Sequence, residues 1–277
     1  MKLILLLLKS RNFILQNTRT HVSIVVLSCD KYKDLWDPFF NLFFKFWPRC
    51  EFPVYLFSNT KVYKNDRVQT ILSGEDQDWS SSIKKCLKQI DSEYVWVFFD
   101  DVFLTEHVEC SKISRLLSFL ESHNPNYLRF RVYPRPDKKH SDFFGICGEE
   151  ALYRTSIFSI WKKQIFMNLL IDGETAWQFE SESIERASKY SRFYGVYENY
   201  LTYEHGVERG LWIRSAYKKL TKLGVYVDIK SRPLMSNQQH LRHLFLKAKT
   251  FIFDRSPNNL KPYLYLMSSF ARKIVKN

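Results

Sequence analysis

The first hundred residues alternate between short apolar runs and longer segments in which apolar residues recur at helical spacing. Short runs of apolar and β-branched residues that end in polar turns are typical of buried strands. Such runs predict strands at 21–28, 53–58, 68–72 and 94–99. Apolar residues three or four positions apart predict helices at 34–47 and 79–90. This alternation predicts an α/β fold with a mainly parallel, Rossmann-like sheet flanked by helices.

Beyond residue 100 the pattern is less regular. Apolar runs predict strands at 126–132, 143–147 and 193–200, with a polar loop at 134–142. Helical spacing predicts helices at 157–170, 174–190 and 215–222. Because neither an internal repeat nor a linker divides these elements, we expect one domain over 21–235. An N-terminal segment, 1–20, would precede it, and a basic amphipathic helical segment, 236–277, would follow it as an appendage.

Two adjacent acids, Asp100 and Asp101, end the most apolar of the predicted strands, 94–99, which is therefore expected to be central. Ligands of open α/β sheets bind at the carboxyl ends of the strands. A hard divalent cation that prefers oxygen ligands would offset the repulsion between neighbouring carboxylates. We therefore expect a Mn²⁺ or Mg²⁺ site here. The alternative is a solvated strand end with turn-forming aspartates.

The turns after the first two strands carry further candidate binding residues. Ser28, Asp30 and Tyr32 follow the first strand. Asp30 is expected to accept a hydrogen bond from a base or ribose, and Tyr32 to stack on the base. Capping of the next helix is the alternative role of Asp30. Asn59, at the end of the second strand, has the same two interpretations.

Glu174 follows Gly173 at the start of a predicted helix, where the helix N-terminus stabilises negative charge. If the neighbouring Trp177 excludes water from it, Glu174 can act as a general base toward an acceptor hydroxyl. Glu180 and Glu182, later in the same helix, are weaker candidates. A helix-start glutamate without chemistry is the alternative.

A loop with two glycines carries His205 and Arg209. The imidazole is a candidate metal ligand, and the guanidinium can hold a phosphate with two hydrogen bonds. A solvated or structural histidine is the alternative.

The chain has 42 Lys+Arg against 29 Asp+Glu, a net charge of +13. No helix-turn-helix, zinc-finger or RNP-like pattern accompanies this excess, so nucleic acid is not an expected partner. Over the last forty residues basic side chains alternate with leucine and phenylalanine. Such helices lie in the interface of anionic membranes. A helix packed on its own domain is the alternative.

Composition excludes other classes. Hydrophobic residues make up 45% of the chain and aromatic residues 17%, enough for a packed core rather than a disordered chain. No run approaches the roughly 18 apolar residues of a membrane span, and the run at 3–8 is expected to be a surface-seeking or packed segment. The five cysteines lack metal-type spacing, and no glycosylation sequon occurs. We therefore expect a cytoplasmic protein, peripheral at the cytoplasmic face of the inner membrane.

Taken together, these segments resemble a bacterial glycosyltransferase of the GT-A fold, of the type found in lipopolysaccharide and capsule biosynthesis. They fall in the order typical of that family and span most of 21–225. The segments are VVLSCDKYKDLWDPFF at 25–40, PVYLFSN at 53–59, WVFFDDVFL at 96–104, GETAWQFE at 173–180 and HGVERGLW at 205–212. The acids at 100 and 101 are adjacent, whereas the usual metal motif has one residue between them.

The resemblance implies transfer of a hexosyl or N-acetylhexosaminyl group from a nucleotide sugar, expected to be a UDP-sugar. The acceptor would be a hydroxyl of a glycan or lipid-linked glycan in O-antigen or capsule synthesis. The implied base is Glu174, and the implied metal ligands are Asp100, Asp101 and His205. The donor would bind at Ser28, Asp30, Tyr32, Asn59, Asp100 and Arg209. We expect inversion, since retention by a nucleophilic carboxylate would need a residue that we cannot assign.

Two other functions stay open. A sugar-phosphate nucleotidyltransferase would favour a glycine-rich phosphate loop after the first strand, whereas the turn SCDKYKD contains no glycine. A non-enzymatic basic protein that binds membrane or nucleic acid would bind in a strongly salt-dependent way without affinity for nucleotide sugars.

Overall fold

The computed structural model describes residues 21–75, 77–148 and 155–256. The strands are β1 (Val22–Leu27), β2 (Val54–Ser58), β3 (Gln69–Leu72), β4 (Tyr94–Phe99), β5 (Val102–Leu104), β6 (Tyr127–Arg129), β7 (Lys138–Lys139), β8 (Phe144–Ile146), β9 (Ser159–Lys162), β10 (Phe193–Val196), β11 (Tyr203–His205), β12 (Val207–Glu208) and β13 (Leu211–Trp212). The helices are α1 (Trp36–Phe46), α2 (Trp79–Leu87), α3 (Cys110–His123), α4 (Lys163–Leu169), α5 (Ala176–Ala187), α6 (Arg214–Lys222) and α7 (Asn237–Arg255). A 3-10 helix, Asp30–Leu35, leads into α1.

Nine of the described strands form one sheet in the order β3-β2-β1-β4-β9-β6-β10-β8-β7. The strands β3, β2, β1 and β4 are parallel to one another. The next strand, β9, runs antiparallel to both of its neighbours, β4 and β6. Helices flank this sheet, so the predicted α/β class is confirmed.

The chain reverses direction across the sheet between β1 and β4. It moves outward from β1 through β2 to β3 and then returns to place β4 on the other side of β1. In doubly wound sheets a crevice opens at the carboxyl ends of the strands at such a switch point, and ligands bind there. The residues that follow Leu27 and Phe99 therefore lie where such a fold binds its ligand.

Helices cover both faces of the sheet, which explains why the central strands are apolar throughout. Every residue of β1 is buried. Two separate core clusters lie on the two sides, one including α1, α3 and α6 and the other α2, α4 and α5. On α1, Phe39 stacks on Phe43 at 5.8 Å between ring centroids, and Phe43 meets Phe98 of β4 edge-on at 5.7 Å. This aromatic contact fixes α1, and the turn before it, against β4.

The helix predicted over 157–170 is wrong in its first part. Residues Ser159–Lys162 form β9, which inserts between β4 and β6, and only Lys163–Leu169 are helical. A short strand buried on both faces shows no alternation of apolar and polar residues, so its pattern merges with that of the adjoining helix. The helix α3 was not predicted, although Ile113, Leu116 and Leu120 have helical spacing.

The terminal segments are described only in part. Ser236 caps α7, and its side chain and that of Gln239 form a reciprocal capping box. Residues 1–20 and 257–277 lie outside the described part of the chain. Among the described residues, no helix has the length and hydropathy that a transmembrane span requires.

Candidate functional site

The carboxyl ends of β1 and β4 bring two of the predicted site residues into direct contact. The parallel register pairs Leu27 with Phe99, so Ser28 and Asp100 leave neighbouring strands at the same edge. Ser28 donates a hydrogen bond from Oγ to Oδ2 of Asp100. Trp36, the first residue of α1, donates from Nε1 to the same Ser28 Oγ at 2.7 Å. Strand pairing and a helix start thus hold Asp100 in one orientation.

Asp100 and Asp101 form an adjacent pair of carboxyl groups, of which Asp100 is buried and Asp101 is half-buried. Burial, together with the charge of Asp101, raises the pKa of Asp100 well above its ordinary value. Burial also raises the pKa of Asp101, to about 6. Within the described residues neither carboxyl group forms an ion pair. The site therefore holds negative charge that the protein itself compensates only in part.

Arg232 is a buried basic residue whose charge acts on both acids of this pair, and the sequence patterns do not identify it. Its guanidinium is buried and donates from Nε and Nη2 to the two carboxylate oxygens of Asp34, at 2.8 Å each. It also donates to the carbonyl oxygens of Lys31 and Gly210, at 3.3 Å each. Its charge favours the ionised form of both Asp100 and Asp101.

Tyr32 completes this group from the turn after β1. The Arg232 guanidinium lies over the Tyr32 ring, 4.4 Å from its centroid. Burial raises the pKa of the Tyr32 phenol, which also lies in the fields of Asp100 and Asp101. The predicted residues Ser28, Tyr32, Asp100 and Asp101 therefore lie together. We call this set, with Asp34, Trp36 and Arg232, the acid site.

Asp30 lies in the turn after β1 and Asn59 in the turn after β2, and hydrogen bonds join the two turns. The Asp30 carboxylate accepts hydrogen bonds from Ser58 Oγ at 2.8 Å and Thr60 Oγ1 at 2.6 Å, and from backbone N–H groups of residues 59–61. These bonds outweigh burial and lower the pKa of Asp30. In return, Asn59 Oδ1 accepts from the Asp30 N–H at 3.0 Å. These hydrogen bonds hold the turn after β1 against the turn after β2. The role of Asp30 and Asn59 in binding the donor stays a prediction.

Strand β11 pairs antiparallel with β5, and in this register His205 lies opposite Val102. Val102 follows Asp100 by two residues. The next residue, Gly206, donates its N–H to the carbonyl oxygen of Asp101 at 2.8 Å. A Cβ at Gly206 would lie 2.2 Å from the Phe103 ring, so a side chain would not fit at this crossing. Among the described residues, no three His, Cys, Asp or Glu side chains gather closely enough to hold a metal. The role of His205 as a ligand thus stays a prediction.

The acid pair nevertheless has the chemistry of a divalent-cation site. Mg²⁺ is commonly held by one or two carboxylates together with water and substrate phosphates rather than by a complete protein cage. Asp100 and Asp101 offer two oxygen-donor groups whose raised pKa values reflect uncompensated burial. A divalent cation would relieve that cost, so the residues present fit such an ion.

Glu174 makes contacts of a structural kind. Its carboxylate is buried and accepts two hydrogen bonds from Arg186, at 2.7 and 2.9 Å. Its carbonyl oxygen accepts from the Ser80 N–H at 3.3 Å, which ties the start of α5 to α2. Trp177, predicted to exclude water from it, is instead 84% exposed. The role of Glu174 as a base stays a prediction, while its observed partner is an arginine.

Glu180, within α5, is a largely buried carboxyl group with a raised pKa. Burial raises it, although the Ile157 N–H donates to Glu180 Oε1 at 3.0 Å. Arg131 contributes a favourable charge to Glu180 and also lies in the field of Tyr203 and His205 on β11. The charge of Arg131 thus acts both on Glu180 and on these two residues of β11.

Arg209 precedes Gly210, whose carbonyl oxygen accepts a hydrogen bond from Arg232 of the acid site. It occupies the turn between β12 and β13 with a φ of 50° and is exposed. Its side chain lines a cavity of about 220 Å³ between this hairpin and α7, with Leu211, Met235 and Arg242 among the other lining residues. Its phosphate-binding role stays a prediction.

Sequence reasoning missed Asp34, Trp36 and Arg232. Trp36 falls within a predicted helix, where an aromatic residue at helical spacing is ordinarily core. Asp34 and Arg232 lie 198 positions apart, and neither carries a local signal. The chain contains 42 lysines and arginines, so only the fold identifies which of them is buried beside the acids.

Comparisons with known proteins give a distant likeness in fold. No family model and no curated protein matches the sequence. Among solved structures, Staphylococcus aureus TarS (1–349) is 11% identical with a TM-score of 0.49, covering 87% of this chain and 77% of that one. The same protein in complex with UDP is 13% identical with a TM-score of 0.48 over the same shares of the two chains. The bifunctional IspDF from Campylobacter jejuni is 21% identical with a TM-score of 0.37, covering 65% of this chain and 50% of that one.

Proposed function

We propose that this chain is a glycosyltransferase that uses a nucleoside-diphosphate sugar. The observation that carries the proposal is the adjacent pair formed by the buried Asp100 and the half-buried Asp101 at the switch point between β1 and β4. Open α/β sheets bind ligands at that place. A site that confines uncompensated carboxylates there is suited to a cation-bound diphosphate rather than to a neutral ligand.

Four residues of the acid site have a direct role in this proposal. Asp100 and Asp101 would hold a Mn²⁺ or Mg²⁺ ion through carboxylate oxygens. When bound, such an ion would neutralise charge on the departing nucleoside diphosphate. Tyr32 offers a half-buried ring beside the acids for stacking of a nucleobase, which we expect to be the uracil of a UDP-sugar. Arg232 contributes fixed positive charge at the same place.

The two candidate bases that would act on the acceptor hydroxyl lie just before α5 and within it. Direct displacement with inversion needs one base that accepts the proton of the attacking hydroxyl. Glu174 is the predicted base, but its carboxylate is bonded to Arg186. The raised pKa of Glu180 favours that residue for the same task, because a base works best when its pKa is near the operating pH. The acceptor would be a hydroxyl of a glycan or lipid-linked glycan in cell-surface polysaccharide synthesis, an extension supported by the sequence resemblance alone.

The first test is a thermal-shift titration of the full chain with UDP, GDP, CDP and TDP, each with Mn²⁺, Mg²⁺ or EDTA. A ligand that binds the native state alone raises the melting temperature by mass action. We expect one nucleoside diphosphate to stabilise the protein and EDTA to abolish the effect. Asp101→Asn should abolish it too, whereas Asp91→Asn, an exposed acid before the amino end of β4, should not.

Assays of turnover then distinguish a glycosyltransferase from a nucleotidyltransferase. Release of the nucleoside diphosphate from the corresponding nucleotide sugar, faster with glycan acceptors, supports the transferase. Release of pyrophosphate from a nucleoside triphosphate and a sugar phosphate would show instead that the chain is a nucleotidyltransferase. Absence of any nucleotide-dependent stabilisation would contradict the proposal. The anomeric configuration of the product, observed by proton NMR, decides between inversion and retention.

A further inference from the structure

The last described helix, α7, docks on the domain through charged side chains. His243 Nδ1 contacts a carboxylate oxygen of Glu208 in β12, and Asp254 pairs with Arg131 beyond β6. Lys247 approaches Glu204 of β11 at 3.7 Å. Asp254 is the single buried residue in the helix. The side of α7 that faces the protein is therefore largely polar.

The opposite side of α7 carries an apolar stripe that faces solvent. Leu241 is 67% exposed, Phe245 70% and Ile252 58%, and Leu244 and Phe251 are exposed as well. At about 100° per residue these five side chains fall within about one third of the helix circumference. We call them the outer stripe. A surface helix ordinarily turns such a stripe to the core and its charges to water, so α7 has the reverse orientation.

Basic residues border the outer stripe. Arg242 and Lys249 lie along one side of it, and Lys247 lies along the other. Lys219 of α6 approaches the same carboxylate as Lys247, that of Glu204, at 3.7 Å. Residues 237–277 contain eight lysines and arginines and one acid, Asp254, so more than half of the net charge of +13 is concentrated there. The partner that covers the stripe must therefore be apolar at its centre and anionic around it.

We propose that α7 docks on an anionic lipid bilayer, with the outer stripe in the acyl-chain boundary and the flanking basic residues at the headgroups. Helices with this combination of exposed leucine or phenylalanine and basic flanks bind in that way. A second copy of the chain fits less well, because a symmetric contact through α7 would bring Arg242, Lys247 and Lys249 of both copies together. The inference does not depend on the proposed enzymatic function.

The fold also connects the docked helix to the acid site. The hairpin of β12 and β13 lies between them: Glu208 contacts His243 on α7, and the carbonyl oxygen of Gly210 accepts a hydrogen bond from Arg232. Docking through α7 would therefore hold the acid site close to the membrane surface. An acceptor anchored in lipid would then be presented to a site at a fixed height.

The test is flotation of the full chain with vesicles of phosphatidylcholine, alone or with 30 mol% phosphatidylglycerol, at about 0.1 M salt. We expect binding to the anionic vesicles only. The double variant Phe245→Ser and Ile252→Ser should lose binding by about tenfold or more, because both side chains would leave the acyl-chain boundary. Val62→Ser and Tyr226→Ser, two exposed apolar residues outside α7, form the matched control and should leave binding unchanged.

A second pair of variants tests the charges. Arg242→Gln with Lys249→Gln should weaken partition by about 25-fold, since each basic residue near an anionic surface contributes about fivefold. Lys64→Gln with Lys88→Gln, exposed lysines elsewhere, should have no effect. Equal binding to neutral and anionic vesicles, or binding that survives the stripe variants, would overturn the proposal. So would a dimer in light scattering that the stripe variants dissociate, without vesicle binding, because a second copy would then cover α7. A monomer that binds no vesicles would overturn it as well.

Discussion

The guanidinium of Arg232 and the carboxylate of Asp34 form a two-bond ion pair that joins residues 198 positions apart in the chain, at 2.8 Å for each bond. Asp34 belongs to the 3-10 turn after β1, and Arg232 to the segment before α7. The pair therefore fastens the C-terminal part of the described chain to the turn that carries Ser28 and Tyr32. Because the charge of Arg232 also favours the ionised forms of Asp100 and Asp101, one side chain both joins these two segments and contributes to the electrostatics of the acid site.

Arg232→Met should lower the free energy of unfolding by about 3 kcal/mol, since loss of one partner leaves a largely buried charge uncompensated. Urea denaturation of the ligand-free protein measures the change. Asp34→Leu should also destabilise, and the double variant should be less destabilised than the sum of the two single variants, because no orphan charge remains. Arg49→Met, at an exposed arginine, should change stability by less than about 0.5 kcal/mol. Strict additivity of the two variants would contradict the coupling.

Ser28→Ala should destabilise the protein by about 1–3 kcal/mol, because the hydroxyl accepts from Trp36 Nε1 and donates to Asp100. Both partners are buried and would be left without this hydrogen bond. The variant should also show altered Trp36 fluorescence and a weaker nucleotide-dependent thermal shift. Ser82→Ala, at a half-buried position of α2, is the control for the loss of one hydroxyl. An unchanged unfolding midpoint in Ser28→Ala would show that the Trp36–Ser28–Asp100 chain of bonds contributes nothing.

Much of the fold could be predicted because local pattern and global position agree in it. The strand predicted at 94–99 is β4 with the same bounds, since an uninterrupted apolar run implies burial on both faces. The antiparallel strand β9 could not be predicted in the same way, because its four residues adjoin α4 without a turn signal between them. The short strands β5 and β11–β13 depend on pairing between distant segments, which a local pattern does not encode.

The residues of the candidate site likewise include some that the local pattern predicts and some that depend on contacts between distant segments. Ser28, Tyr32, Asp100 and Asp101 follow strands whose pairing the pattern predicts, and they lie together. The sequence predicts ligand binding or helix capping for Asp30, whereas its carboxylate accepts hydrogen bonds from residues 58–61, an arrangement that requires the β1–β2 pairing. Arg232 could not be predicted, because a lone arginine in a basic chain gains meaning only through the partners that folding gives it.

The two glutamates of α5 should respond differently to amide substitution. Glu174→Gln weakens the two-bond pair with Arg186 and should mainly lower stability, by about 1–3 kcal/mol. Glu180→Gln should leave stability nearly unchanged and lower kcat by about a hundredfold or more, the range for loss of a general base. Steady-state kinetics with urea denaturation on both variants separates the effects. The reverse outcome, in which Glu174→Gln abolishes turnover at full stability, would restore the assignment made from the sequence.

Asp101→Asn should stabilise the ligand-free protein at neutral pH and leave it unchanged in acid. The ordinary pKa of this carboxyl group is 3.8, and burial raises it to about 6 in the fold. Between these values the folded protein binds more protons than the unfolded chain does, so wild-type stability falls as the pH rises through this interval. Asparagine does not ionise and escapes that loss. The gain should reach about 1–2 kcal/mol above pH 7, after allowance for partial solvent exposure, and vanish near pH 4.

Thermal unfolding of both proteins from pH 4 to pH 8, in EDTA, measures the difference. With Mn²⁺ and the preferred nucleoside diphosphate present, the order should reverse above pH 6, because the ion binds the ionised carboxylates of the wild type and the amide replaces one of them. Asp91→Asn, an exposed aspartate, should follow the wild type throughout. A variant that is less stable than wild type at pH 7.5 in EDTA would mean that Asp101 is compensated in the fold, and the argument for a cation at the acid pair would lose its electrostatic basis.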